Sequence, residues 1–142
     1  MRLTSFTDYS VRVLTYVAKK NGELASIREV SEVYGISSNH LMKVIHHLGK
    51  GDYLETIRGK NGGFRLAKEP KDINIGELIK YTEEDMTLVE CLGNKEGRCL
   101  LQEECNFSNV MQEALDAFMG TINKYTLADL IKGATPINFL DK

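Results

Sequence analysis

Three cysteines, Cys91, Cys99 and Cys105, are the only cysteines of the 142-residue chain, and all lie in the segment CLGNKEGRCLLQEEC. An odd number of cysteines cannot all pair within one chain, and the sequence contains no signal peptide or long apolar run. These features favour reduced thiols, a cytoplasmic location and no membrane partner. Thiolates are soft ligands suited to zinc or iron–sulfur clusters, and three on one loop can converge on a single centre.

A centre built on these cysteines lacks a fourth ligand. The three histidines, His40, His46 and His47, lie far upstream in one segment, so a Cys3His zinc site would require that segment to fold back. A carboxylate is the better candidate. The alternative for the cysteines is that they are small buried hydrophobic residues. The loop is rich in charge and glycine, which is poor material for a core, so a metal or redox site is favoured.

The two halves of the chain carry opposite charge. Residues 1–71 hold 12 Lys/Arg and 7 Asp/Glu, whereas residues 72–142 hold 6 and 13. A basic half joined to an acidic half is typical of a nucleic-acid-binding module attached to a sensing or assembly region. The hydrophobic content of 42% suffices for the core of one domain with a helical appendage.

Apolar residues at helical spacing predict three helices in the first fifty residues. Their apolar positions are Val11, Leu14 and Val17, then Ile27, Val30 and Val33, then Leu41, Val44, Ile45 and Leu48. The first helix is expected over residues 7–19. A short turn containing Gly35 separates the other two, which is the helix-turn-helix pattern.

The third of these helices has an outward face of hydrogen-bond donors. Ser37 or Ser38 can cap its first turn. The positions expected to face outward are Asn39, His40, Lys43, His46, His47 and Lys50. Asparagine can read adenine, lysine can contact guanine or phosphate, and amides at the helix start can hold a phosphate. A solvated polar face is the alternative for this helix taken alone.

The segment ETIRGKNGGFRLA that follows predicts a basic β-hairpin. Asn61-Gly62 is a strong turn signal because both positions can adopt positive φ. Arg58, Lys60 and Arg65 place positive charge at the tip and flanks, where a narrow minor groove attracts it. A helix-turn-helix followed by such a wing is more specific than either part, and it favours DNA binding over a purely structural hairpin.

The second half predicts a short helix from about Asp72 to Thr82 and a long amphipathic helix over residues 108–125. The long helix packs either on its own domain or on the same helix of a second subunit. A short capped helix, residues 126–131, ends before Gly133. The chain thus divides into a winged helix-turn-helix region (1–71), a short helix and cysteine loop (72–107) and a dimerisation helix with C-terminal segment (108–142). The sequence has no nucleotide loop, nucleophile motif or pair of catalytic carboxylates, so an enzyme is not expected.

Five segments together resemble the iron–sulfur winged-helix repressors of the NsrR and IscR type, with the NsrR branch the more similar. They are MRLTSFTDYSVRVL, SSNHLMKVI, RGKNGGFRL, the cysteine loop and KYTLADL. The resemblance implies a mainly α fold with a small hairpin wing, and a homodimer with one cluster per subunit, [4Fe-4S] or alternatively [2Fe-2S]. It also implies cluster ligands from Cys91, Cys99 and Cys105, with the fourth from Asp8 of the partner subunit.

Asp8 has other uses available to it, because a carboxylate in a first helical turn favours the helix dipole and can pair with Arg12 at i,i+4. Local alternatives for the fourth ligand are Glu90, Glu96, Glu103 and Glu104. The expected function is a repressor that reads operator DNA through residues 38–50 and 58–65, including Ser38 and Asn61, and releases it when nitric oxide attacks the cluster. The alternatives on the same scaffold are a cluster-free thiol or small-molecule sensor and an IscR-type sensor of cluster supply.

Overall fold

The computed structural model describes residues 1–93, 99–101 and 105–133. These ranges contain six helices and a two-stranded sheet: α1 Ser5–Lys19, α2 Ile27–Tyr34, α3 Ser38–Lys50, β1 Leu54–Ile57, β2 Gly63–Leu66, α4 Ile75–Thr82, α5 Asn106–Ile122 and α6 Leu127–Ile131. Two 3₁₀ turns, Pro70–Asp72 and Glu90–Leu92, precede α4 and α5. The order confirms the predicted class, a mainly helical fold with a winged helix-turn-helix. No helix among the described residues is long and apolar enough to cross a membrane.

Side-chain caps determine where the helices of the first half begin. The Thr4, Ser26 and Ser37 hydroxyls accept hydrogen bonds from backbone amides three residues later, at the starts of α1, α2 and α3. Such bonds satisfy amides that have no partner inside the helix. Ser37 is therefore the cap of α3, and Ser38 is its first helical residue. Gly35 ends α2 in the left-handed conformation, with φ of 66°.

One hydrophobic core joins the helix-turn-helix to elements from the second half. Leu14 of α1, Leu41 of α3, Leu78 of α4 and Leu127 of α6 are all fully buried in it. The core thus crosses the predicted boundary at residue 71, and α4 and α6 belong structurally to the winged-helix body. Their burial fixes the positions of the segments that lead into and out of the cysteine region.

The wing forms, but its turn differs from the predicted one. β1 and β2 pair antiparallel, and the Gly62 amide bonds the Gly59 carbonyl at 3.0 Å. The positive φ falls on Gly59, at 110°, and not on Asn61 or Gly62. Gly62 is needed for a different reason, since a Cβ there would lie 2.0 Å from the Ile57 carbonyl oxygen. The wing is anchored to the body by two 2.9 Å backbone bonds between Phe64 and Ala25.

α5 leaves several large apolar side chains exposed. It begins two residues earlier than expected, and none of its residues is buried. Phe107 and Val110 are 60% and 53% exposed. At its C-terminal end it approaches α4 so closely that a Cβ on Gly76 would collide with the Asn123 side chain. A long helix with large apolar side chains in solvent has the surface expected of an element that packs on another molecule.

A buried ion pair, which sequence reasoning missed, joins α1 to α2. Lys20 Nζ lies 2.6 Å from Glu29 Oε2, and their side chains are only 3% and 9% exposed. The Tyr16 hydroxyl donates to the same carboxylate at 2.8 Å, and Lys20 also donates to the Leu24 carbonyl at 2.9 Å. Burial, together with this carboxylate, raises the pKa of Tyr16 well above its ordinary value. The network fixes the start of α2 against the end of α1.

Replacing Glu29 with Gln is expected to lower the free energy of unfolding by about 3–5 kcal/mol, because it removes the countercharge from a buried ammonium group. The matched control is Glu32→Gln on the same helix. The Glu32 carboxylate pairs with Arg28 at the surface and is 47% exposed, so its loss should leave the urea midpoint nearly unchanged. Equal midpoints for the two variants would contradict the assigned role of the buried pair.

Candidate functional site

The exposed face of α3 carries most of the predicted reading residues. Ser38, Asn39, Lys43 and His46 are exposed there. Because the Ser37 cap takes the His40 amide, the amides of Ser38 and Asn39 at the helix start remain available to an outside acceptor. Sequence reasoning overlooked Met42, which lies on the same face and is 54% exposed. The face combines donors with one apolar side chain, the two kinds of group that read base edges in a major groove.

His47 was expected to face outward, and this expectation is wrong. Its ring stacks on Tyr81 of α4 with centroids 4.2 Å apart, and its Nε2 lies 3.1 Å from the Tyr81 carbonyl oxygen. His40 is half-buried, with its ring edge-to-face on Tyr9 at 4.8 Å. The face available to a ligand is therefore narrower than the polar pattern of the sequence indicates.

The wing presents its basic residues unequally. Arg58, Lys60 and Asn61 are exposed around the turn. Arg65 lies opposite Glu55 in the strand register, and its guanidinium Nε is 3.0 Å from that carboxylate. The positive charge of Arg65 is thus partly compensated, so the uncompensated charge of the wing is concentrated near its tip.

The three cysteines occupy three different backbone settings, and all have free thiols. Cys91 is half-buried in the 3₁₀ turn Glu90–Leu92, Cys99 is exposed, and half-buried Cys105 occupies the N-cap position of α5. Among the described residues, no group of three or more His, Cys, Asp or Glu side chains is assembled to hold a metal ion. Of the alternative carboxylates, Glu90 is exposed beside Cys91, whereas residues 96, 103 and 104 lie outside the described ranges.

The environment of Cys105 favours the thiolate form of its side chain. A hydrogen bond from the Ser108 amide lowers the pKa of its thiol; burial opposes this effect, and the Phe107 amide and Ser108 hydroxyl reinforce it. Amides at the start of a helix favour a negatively charged group, and metals bind cysteine as thiolate. The position of Cys105 at the head of α5 therefore suits it to a soft metal.

Asp8 lies in the first turn of α1 and forms the expected pair with Arg12, at 2.8 Å between Oδ2 and Nη2. Arg12 also lies over the rings of Tyr9 and Tyr34, with its guanidinium carbon 5.6 Å and 5.9 Å from their centroids. Tyr34 is the last residue of α2. The Asp8 carboxylate is thus connected through one side chain to α2, the helix that precedes α3. We call α3, residues Ser38–Lys50, the reading helix, because the sequence predicts that it contacts DNA bases.

The start of α1 packs on the reading helix on both sides of Asp8. Phe6 lies edge-on to His47 at 5.3 Å, and Tyr9 contacts His40. The two histidines are seven residues apart, so they lie on one side of α3. Sequence reasoning did not identify these aromatic contacts. They connect the predicted ligand residue to the reading helix.

A capped helix with an exposed donor face, followed by a basic hairpin anchored to the same core, defines a winged-helix DNA-binding regulator. The chain belongs to the Rrf2 family, whose model, described as an iron-dependent transcriptional regulator, matches residues 3–133.

Proteins similar to this chain are named as transcriptional regulators. The chain is 51% identical over 132 residues to the HTH-type transcriptional regulator NsrR of Bacillus licheniformis, covering 92% of each chain, and 48% identical over 138 residues to NsrR of Bacillus subtilis, covering 96% and 94%. Among solved structures, T. potens IscR superposes with a TM-score of 0.72 at 25% identity, over 95% of this chain and 89% of that one. CymR of B. subtilis has a TM-score of 0.76 at 24% identity, over 95% and 99%. The chain is therefore a transcriptional regulator and not an enzyme, as its sequence predicts.

Lys60→Ala is expected to weaken DNA binding and to reduce the slope of log affinity against log salt by about 1, because one phosphate contact is lost. The matched control is Lys132→Ala after α6, whose side chain is 78% exposed and pairs with Asp129. Fluorescence anisotropy at several salt concentrations provides the slopes. A Lys60→Ala slope equal to that of the wild type would exclude a phosphate contact by the wing tip.

Proposed function

We propose that the chain is a homodimeric repressor whose affinity for operator DNA is set by an iron–sulfur cluster, one [4Fe-4S] per subunit, and lost in response to nitric oxide. Support comes from the iron-dependent character of the family and from the relatives named NsrR. The observation that carries the proposal is the position of Asp8. Its carboxylate lies at the protein surface on the stretch of α1 that packs against the reading helix.

The donor set suits iron. Cys91, Cys99 and Cys105 supply soft thiolates, of which Cys105 has a lowered thiol pKa, and Asp8 of the partner subunit supplies a hard carboxylate. When bound, the cluster supplies iron atoms with which nitric oxide reacts. Among these four ligands, the Asp8 carboxylate would be the most readily exchanged, because it is hard and the three thiolates are soft.

Asp8 can exchange partners at little cost. The Asp8 and Arg12 side chains are 51% and 42% exposed, and ion pairs this exposed contribute about 0–1 kcal/mol. A metal held by the Asp8 carboxylate would take it from Arg12, and loss of the metal would allow the pair to form again. Because Arg12 also lies over the Tyr34 ring, the exchange would alter a side chain that contacts the end of α2. The pair is therefore a candidate two-state element in the sense required for a switch.

A second copy of the chain completes both the cluster site and the DNA-binding surface. The uncovered apolar residues of α5 provide a surface on which the same helix of a partner packs about a two-fold axis. Two reading helices related by such an axis address half-sites about 34–36 Å apart. A change at the start of α1 that tilts α3 spoils this spacing. A hundredfold loss of affinity requires only about 2.7 kcal/mol.

Nitric oxide is expected to weaken binding of the cluster-loaded dimer to DNA selected from a random library by about 100-fold, which corresponds to about 2.7 kcal/mol. The assay is an anaerobic titration with and without nitric oxide, with cluster-depleted protein as the control that should not respond. Equal affinities would refute the sensing proposal. Colourless anaerobic protein without iron or sulfide would instead favour a thiol sensor.

Asp8→Ala is expected to preserve the dimer and to change the absorption and Mössbauer spectra of the cluster, because one iron loses its carboxylate ligand. Arg12→Ala is the matched control, since it breaks the same ion pair but keeps the carboxylate. Its spectra should match those of the wild type. If Asp8→Ala also left both spectra unchanged, Asp8 could not be a ligand.

A further inference from the structure

The end of α4 contacts both α1 and α3 through three consecutive residues, Tyr81, Thr82 and Glu83. Tyr81 contacts the C-terminal half of α3, whereas Thr82 and Glu83 contact the start of α1. We call residues 81–83 the α4 junction. Sequence reasoning treated this segment only as the end of a short helix.

Tyr81 holds α3 through contacts in both directions. Its hydroxyl donates to the His47 carbonyl at 2.6 Å, and its own carbonyl oxygen lies 3.1 Å from His47 Nε2. The two rings stack with an interplanar angle of 20°. Gly51, just beyond α3, leaves room for the tyrosine, because a Cβ there would lie 2.6 Å from its ring. The end of α3 is thus held by two directional polar contacts and a ring stack.

Thr82 and Glu83 hold the start of α1. The Thr82 and Thr7 hydroxyls are 2.8 Å apart in a buried hydrogen bond. Glu83 accepts from the Thr4 amide at 2.8 Å and from the Thr4 hydroxyl at 3.0 Å. Partial burial acts to raise the pKa of the Glu83 carboxyl, but its hydrogen bonds with Thr7 and Thr4 outweigh burial and lower it. The carboxylate form, which accepts these bonds, is therefore favoured at neutral pH.

These bonds make movement of one helix costly unless the other follows. Thr7 is fully buried and Thr82 is 6% exposed, so separation of the pair would leave buried hydroxyls with fewer partners. Thr7 directly precedes Asp8 in the sequence, and Glu83 precedes Cys91 by eight positions. The junction therefore lies between α3 and the part of α1 that carries Asp8, and the chain continues from it toward Cys91.

We propose that the α4 junction is a positioning element that makes the placement of the reading helix depend on the placement of the start of α1. This inference rests on the proposed function, because the signal it relays is the change of partner at Asp8. Phe6, which lies edge-on to His47, provides a second and purely apolar contact between the same helices. The junction adds hydrogen bonds, which have a preferred geometry. An apolar contact, in contrast, can slide.

The first test compares DNA affinity in two states, cluster-loaded and nitric-oxide-treated, for Tyr81→Phe and Tyr53→Phe. Tyr53 packs on the Tyr81 ring at 5.5 Å, so its variant removes a neighbouring hydroxyl and keeps the His47 bond. Tyr81→Phe should reduce the response from about 100-fold to below about 10-fold, with non-specific affinity unchanged. Tyr53→Phe should respond like the wild type.

The outcomes separate the two proposals. A full response in Tyr81→Phe would overturn the role of the junction and leave the sensing function intact. A wild-type protein that does not respond to nitric oxide would refute the sensing function, and with it the signal that the junction is proposed to relay. A reduced response in both tyrosine variants would also overturn the specific role of Tyr81, because loss of any nearby hydroxyl would then suffice.

A second test needs no cluster. His40, His46 and His47 are the only histidines, so their ring signals can be followed by NMR in cluster-depleted protein. When introduced into the wild-type protein, Thr7→Val should shift the His47 signals. When introduced into the Tyr81→Phe variant, it should shift them by less than half as much. Exposed His46 is the internal control and should not move. Equal His47 shifts in both backgrounds would show that α1 acts through Phe6 alone.

Discussion

The proposed coupling between the cluster site and DNA binding depends on the packing of the start of α1 against α3. Phe6 and Tyr9 rest on His47 and His40, which lie on one side of the reading helix. Asp8 lies between these two aromatic residues in the sequence, and its carboxylate faces solvent. Any ligand that attracts the carboxylate therefore acts on a helix already in contact with α3, the predicted DNA-reading helix. This packing and the α4 junction give a ligand on α1 two short routes to α3.

The two ends of α1 are held by different partners. At the C-terminal end, the buried Lys20–Glu29 pair and the Tyr16 hydroxyl fix α1 to α2, and breaking a buried pair costs about 3–5 kcal/mol. At the N-terminal end, hydrogen bonds of Thr4 and Thr7 hold α1 to the α4 junction, and the rings of Phe6 and Tyr9 pack on α3. The exposed Asp8–Arg12 pair lies within α1 and is worth only about 0–1 kcal/mol. A change of partner at Asp8 therefore costs little, and it acts on a helix end that is tied to α3.

Local pattern predicted much of the fold. Helical spacing located α3 through Leu41, Val44, Ile45 and Leu48, and Ser37 was one of two candidate caps. Pattern failed where the outcome depends on contacts between distant segments. His47 has the polar character of an outward residue, but Tyr81, 34 positions away, holds its ring. In the sequence Glu29 resembles a solvated helix residue, but in the structure it is buried in contact with Lys20 and Tyr16. Sequence pattern did not choose among the candidates for a fourth ligand, which include local glutamates, and Asp8 remains a prediction that rests on the family resemblance.

We propose that the partner of Asp8 sets the placement of α3. Hydrogen–deuterium exchange of the dimer, with cluster and after cluster removal, can detect this coupling, because exchange reports local opening of each helix. Amides in the first turns of α1 and in α3 are expected to change together between the two states, and Asp8→Ala is expected to show the cluster-free pattern in α3 even when iron is bound. An exchange pattern in α3 that is identical in both states would exclude this role of Asp8.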